Sequence, residues 1–211
     1  MELIESVKNL YAEGLSVREV AGKLSVSMNS VYKLMRRKGI PRRSSAETNN
    51  FRYLRKAPSF KPSYVEFVHQ AMLKTMGVAL YWGEGAKRGW SIDFANSDPR
   101  MVKIFVKFLR EICGVKESKL GLYLYCYPQH DVDELMNFWS KVTDIPREKF
   151  SKPYVRTDAK GKLGSKMKHG LIHVRYHDKK LVMQINKWIE ECFEEILASG
   201  RGTQAAKEVA L

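Results

Sequence analysis

From Gly14 to Arg43 the chain reads GLSVREVAGKLSVSMNSVYKLMRRKGIPRR, and its apolar positions recur at helical spacing in two short blocks divided by a polar break. Val17, Val20, Ala21 and Leu24 form one stripe, and Val31, Leu34 and Met35 form the next. Ser16 and Glu19 have the S-x-x-E spacing of a capping box, in which hydroxyl and carboxylate satisfy orphan amides at a helix start. Ser27 supplies a second N-cap after the break at Ser25-Val26. Farther on, in residues 64–197, the period changes within repeated units. IDFANSDPRMVKIFVKFL from Ile92 aligns without gaps on IHVRYHDKKLVMQINKWI from Ile172, matching Phe94 with Val174, Asp98 with Asp178, Val102 with Val182 and Leu109 with Ile189. Each copy alternates apolar and polar residues, turns at an Asp and then adopts a 3.6-residue period, which predicts a strand followed by an Asp-started helix. LGLYLYCYPQHDVDELMNFWSKV, from Leu120, repeats that order more loosely. The fold class expected is α+β: a three-helix unit in residues 1–48, then helices Pro99 to Cys113, Val132 to Val142 and Lys179 to Ile196 on one face of a mainly antiparallel sheet. The other sheet face is left open for a partner.

On the second of the two N-terminal helices, Met28, Asn29, Ser30, Tyr32, Lys33 and Arg36 point away from the apolar stripe. The pair resembles the helix-turn-helix of resolvases and sigma-factor-like regulators. That resemblance implies a recognition helix in the major groove of double-stranded DNA, with Ser27, Met28, Asn29, Ser30 and Lys33 facing bases and Tyr32, Arg36 and Arg37 nearer the backbone. A three-helix protein-interaction bundle would share the caps and stripes. The basic run that follows has no use in such a bundle: Arg36, Arg37, Lys38, Arg42, Arg43, Arg52, Arg55, Lys56 and Lys61 lie in a stretch where Glu47 is the sole acid. These residues suit phosphate neutralisation with counterion release. Pro41, the SSAETNN stretch, Pro58 and Pro62 argue for a basic linker over residues 49–63, either a solvated tether or a segment that orders along a groove through Phe51, Tyr53 and Phe60.

Composition agrees with a polyanionic partner, since 37 Lys and Arg against 23 Asp and Glu give a formal charge of +14. The chain is 211 residues long and 44% hydrophobic, enough to bury a core. No apolar run reaches membrane-spanning length, and MELIESVKNL reads as an amphipathic helix rather than a signal peptide, so a cytoplasmic, nucleoid-associated protein with no membrane partner is expected. Cys113, Cys126 and Cys192 have no C-x-x-C spacing and read as buried reduced thiols. None of the five histidines completes a Cys/His zinc set, and no small-molecule cofactor is indicated. Trp82, Trp139 and Trp188 read as core, and a flexible tail is expected over 198–211.

The segment with chemical interest is AMLKTMGVALYWGEGAK, up to Lys87. Gly77, Gly83 and Gly85 are costly in a helix unless something approaches closely. Ala79 and Gly83 are four apart, so they share one side, where a second helix can pack tightly as a dimer interface. Glu84 follows, with Gly85 as the C-terminal cap. Two copies packed this way would bring two Glu84 carboxylates together, a site for Mg²⁺ in phosphodiester hydrolysis. At these residues the chain resembles the LAGLIDADG homing endonuclease family: in GVALYWGEG, Leu80 and Gly85 match the signature, Ala79 and Gly83 keep its small positions, and Glu84 stands for its metal-binding acid. Gly77 replaces the usual Leu, and Trp82 stands at an often acidic position. The resemblance implies a homodimer whose helices pair at the centre of a saddle-shaped sheet straddling DNA, with one carboxylate from each. Lys87, Lys168 and His169 are basic groups suited to assist at the phosphate, Glu84 and Lys168 are the candidate catalytic residues, and 160–168 reads as a mobile backbone-contacting loop. The expected function is a sequence-specific, Mg²⁺-dependent DNA endonuclease. A non-cleaving transcriptional regulator of the same fold is the alternative, and a recombination accessory protein a third.

Overall fold

The structure is a computed structural model that describes residues 2–156 and 167–208. It is α+β, and the chain divides into two compact units, Met1–Ala57 and Pro58–Leu211.

The first unit contains α1 (Glu2–Ala12), α2 (Val17–Lys23), α3 (Met28–Arg37) and α4 (Ser45–Arg55). Both stripes expected from the sequence face its core. Val20, Ala21, Val31 and Met35 are buried with Val7, Tyr11 and Leu15, and Val17, Leu24 and Leu34 pack against them. The capping box at Ser16 and Glu19 is formed, and Ser27 caps α3 by accepting from the Ser30 amide at 3.1 Å. Ser25, at φ +53°, makes the turn between the two helices.

The expected linker over 49–63 is corrected. Ser44 and Glu47 form a second capping box, which starts α4, and α4 carries Phe51 onto the α1–α2 turn. A Cβ added at Gly14, which has φ +91°, would lie 2.4 Å from the Phe51 ring. Residues 58–63 are no tether either, because they are strapped to the second unit. Lys61 donates its amide to Gly114 O at 3.1 Å and Ser63 donates to Ile112 O at 2.9 Å. Ser59 is buried, and its amide and hydroxyl both donate to Asp178 Oδ2, at 2.8 and 2.7 Å. Polar letters in these segments satisfy backbone and caps instead of solvent.

The second unit contains α5 (Val68–Glu84), β1 (Ile92–Asn96), α6 (Pro99–Glu111), β2 (Leu120–Cys126), α7 (Val132–Thr143), β3 (Tyr154–Val155), β4 (Leu171–Tyr176) and α8 (Lys179–Glu208). The sheet order is β1-β4-β2-β3. β4 pairs antiparallel with both β1 and β2, and only the two-residue β3 joins parallel, so the sheet is mixed. The tail expected from residue 198 continues α8 through Glu208; cooperative propagation from the docked turns carries the helix past Ile196. Most of the expected loop at 160–168 lies outside the described residues.

The two repeats are β1-α6 and β4-α8, and the pairing relates them by a local two-fold. Ile92 pairs with Tyr176 and Asn96 with Ile172, while the equivalent residues Phe94 and Val174 pair with each other at the centre. Asp98 and Asp178 cap their helices alike, accepting from the amides of Arg100 and Lys180 at 2.8 and 2.9 Å. Alternation along the strands decides the layers. Ile92, Phe94, Leu120, Leu122, Leu124, Ile172, Val174 and Tyr176 are at most 1% exposed, in one core with Phe105, Phe108, Leu109 and Trp139. Their neighbours along each strand are only half-buried, so one face of the sheet is covered and the other is open.

Candidate nucleic-acid interface

On α3, burial of Val31 and Met35 fixes the opposite face. Met28, Asn29, Lys33, Arg36 and Arg37 are exposed there, and Tyr32 is half-buried. Asn29, Tyr32, Lys33, Arg36 and Arg42 line an open groove of about 520 Å³, in which the Arg42 guanidinium sits 4.7 Å over the Tyr32 ring. Ser27 and Ser30 spend their polar atoms differently, since their hydroxyls hydrogen-bond each other at 2.9 Å within the helix cap.

The basic run divides into two kinds of residue. Arg52 and Lys56 are exposed, as are Arg36, Arg37 and Arg42. Arg43 turns inward: its Nη2 donates to Tyr11 O and Leu15 O at 2.8 and 2.6 Å, and its guanidinium lies 3.8 Å over the Tyr11 ring and 4.6 Å over that of Phe51. It closes the carbonyl end of α1, an electrostatically favourable place for a cation. Arg55 pairs with Glu19 at 3.1 Å. The Ser16 hydroxyl and amide, with Arg55, hold the Glu19 carboxyl down to about 2. Arg43 thus serves the fold of this unit, while Arg55 stays exposed in its pair with Glu19.

In the second unit, Gln70 accepts from the amides of Glu66 and Phe67 to start α5. Within the chain the close approach is at Gly77, where an added Cβ would lie 2.1 Å from Phe108 Cγ on α6. Gly83 has nothing within 4 Å of such an atom, and Ala79 is exposed. Val68, Met72 and Met76 continue that outward side at helical spacing, 78%, 61% and 46% exposed. Trp82, expected in the core, is 50% exposed beside this stripe, because its position on α5 faces away from α6. Glu84 ends the helix in the open, and Gly85 is the C-cap, in extended rather than left-handed backbone. Lys87 donates its ammonium to the carbonyls of Tyr81 and Trp82, so it caps α5.

Lys168 belongs to another element. It lies exposed in the turn before β4, which is anchored under α7: Trp139 Nε1 donates to His169 O at 2.7 Å, and the His169 ring stacks on Phe138 at 3.9 Å. Burial and the neighbouring Lys168 charge lower the His169 pKa. Glu84 is instead beside β1, since Gly85 bridges to Phe94. No hydrogen bond or ion pair joins Glu84 to Lys168 among the described residues. Among those residues no group of three His, Cys, Asp or Glu is placed to hold a metal.

The open sheet face has no motif in the sequence, and His173, which reads there as a strand-end or turn residue without a role, lies inside β4. Asp93, Ala95, Tyr123, Tyr125, His173 and Arg175 occupy it, with Tyr154 at its β3 edge. His173 Nδ1 and Arg175 Nε bind Asp93 at 2.7 and 2.9 Å. Burial works against the Asp93 charge, but the His173 bond and the Arg175 cation outweigh it and hold the carboxyl below its ordinary value. Tyrosine counts as apolar in a pattern, so Leu120–Cys126 reads as one apolar run, and nothing in it tells which alternate residues face outward.

All three cysteines are free, with Cys113 and Cys126 buried, and no described helix is long and apolar enough to cross a membrane. No family model, curated protein or solved structure matches the chain.

Proposed function

We propose that this chain is a sequence-specific double-stranded DNA-binding protein that acts as a homodimer and hydrolyses a phosphodiester with a divalent metal at paired Glu84 carboxylates. The observation that carries the DNA reading is α3. Its buried stripe leaves Asn29, Lys33, Arg36 and Arg37 on one solvent face, next to the Arg42–Tyr32 groove. Asn suits the N6 and N7 edge of adenine, Lys suits guanine, and the arginines suit phosphates, which is the division of labour a recognition helix needs.

The dimer reading rests on α5. Val68, Met72, Met76, Ala79 and Gly83 form an exposed apolar line that ends at two small residues, and a second copy of the helix would cover it. Glu84 sits at the end of that line as a hard oxygen donor with no hydrogen bond or ion pair among the described residues, which suits Mg²⁺ once a partner supplies the second carboxylate. When bound, the ion would supply an activated water and charge neutralisation at the phosphate. The chain's own part is to position: α5 fixes Glu84, and α3 holds the duplex.

Glu84→Gln tests the catalytic part. The variant is expected to keep its fold and DNA affinity and to lose Mg²⁺-dependent cleavage of its preferred duplex, because an amide is a poor ligand for a hard dication. Cleavage surviving the substitution would remove Glu84 from the mechanism. The non-cleaving regulator is the second reading, favoured by one observation: the exposed α3 face supports binding without calling on Glu84. Specific binding by wild type with no cleavage in Mg²⁺ or Mn²⁺ would decide for it.

A further inference from the structure

The open face of the sheet carries an unusual set of side chains for reading a duplex. Reaching base edges in a groove takes long polar side chains such as Arg, Asn or Gln. This face instead presents flat rings. Tyr123 and Tyr125 project from β2, His173 from β4 and Tyr154 from β3, and their centroids lie 5.0 Å apart for Tyr123–Tyr125, Tyr125–Tyr154 and Tyr125–His173. Tyr125 and His173 are inclined by only 35°, whereas Tyr123 stands almost perpendicular to Tyr125. A long cation on the face, Arg175, lies 4.2 Å over the Tyr123 ring and is held there by Asp93.

We propose that this face is a platform for unpaired nucleotides, on which Tyr123, Tyr125 and His173 stack bases while the basic β3 edge holds the strand's phosphates. The inference rests on the reading of the chain as a nucleic-acid-binding protein, but assigns a second substrate form to a second surface. Aromatic rings on a sheet recognise bases whose π-faces are exposed, and paired bases within a duplex expose only their edges. Charge fits the same occupant. Exposed Lys152 and Arg156 flank Tyr154 along the edge strand, and the chain carries +14 overall. The phenol tips and the imidazole supply donors and acceptors for base edges once stacking has placed them.

Anisotropy titrations of the full chain against labelled oligothymidine and against a duplex of the same length test the proposal. Wild type is expected to bind both. Replacing Tyr123 and Tyr125 together by Ala should weaken oligothymidine binding at least about tenfold and leave duplex binding unchanged, whereas Tyr→Phe at both positions, which keeps the rings, should retain it. Tyr154→Ala, at the exposed edge where the core is untouched, should weaken it in the same direction. Replacing Arg36 and Arg37 by Ala should do the reverse, weakening the duplex and sparing the single strand. No single-strand binding by wild type, equal affinity in the Ala variant, equal loss in the Phe variant, or parallel loss for both ligands overturns the platform. Absence of duplex binding with ring-dependent oligothymidine binding intact would overturn the proposed function instead.

Discussion

Arg43 and Arg36 belong to one basic run, yet one closes the carbonyl end of α1 and the other faces solvent. Charge alone cannot sort them, because a guanidinium that donates to buried carbonyls and stacks on rings performs a structural task with the same group that would neutralise a phosphate. Arg43→Ala should therefore cost the first unit about 2 kcal/mol in urea unfolding, by leaving two carbonyls unsatisfied and a ring stack empty. Arg36→Ala should leave stability within about 0.5 kcal/mol and lower the salt slope of duplex binding by about one. Asp178 gives the second residue-scale expectation. Burial opposes its charge, but the Ser59 hydroxyl and amide and the Lys180 and Leu181 amides hold its carboxyl below its ordinary value. A depressed native value means that the stabilisation is complete above the unfolded value and is lost as pH falls through the native one. Urea midpoints should thus fall for wild type as pH is lowered from 7 through the carboxylate range. Asp178→Asn should start lower and fall less, and equal slopes would mean that Ser59 does not hold the carboxylate. The Ser59–Asp178 bond crosses more than half the chain and has no sequence signature.

α4 shows how much an element-level signal depends on where it stands. Ser44 and Glu47 have the spacing that identified α2 through Ser16 and Glu19, but they follow Pro41 and sit among Asn, Thr and Ser, which read as loop. The docking of Phe51 against Gly14 and under Arg43, with the Arg55–Glu19 pair, holds the helix, and these contacts are tertiary. The strand-helix repeats were legible because Asp98 and Asp178 mark the change of period in both copies. The two-residue β3 was not, since a short parallel edge strand has no periodicity of its own. On α5 the sequence located the small residues and Glu84 but not which glycine is packed. The structure separates them, and two substitutions should separate them in solution. Gly77→Ala forces Phe108 to move and should cost about 1–3 kcal/mol in thermal or urea unfolding. Gly83→Leu has room within the chain, so it should leave stability nearly unchanged while shifting sedimentation from dimer to monomer. A wild type that sediments as a monomer with and without DNA would remove the paired Glu84 site.

At the scale of the whole molecule, a formal charge of +14 favours any polyanion, so affinity alone says little about what the chain recognises. Specificity has to come from side chains that meet base edges, and in this account those are Asn29 and Lys33 on α3. The counterion term contributed by Arg36, Arg37, Arg42 and Arg52 should act on every duplex alike. Loss of Asn29 or Lys33 should instead act on preference among sequences. Selection from a randomised duplex pool at physiological salt separates the two contributions. Wild type is expected to enrich one motif, and Asn29→Ala and Lys33→Ala each to relax it at particular positions while still retaining DNA. Enrichment of no motif by wild type, or recovery of the same motif by both variants with equal stringency, would contradict the assignment of α3 as the recognition helix.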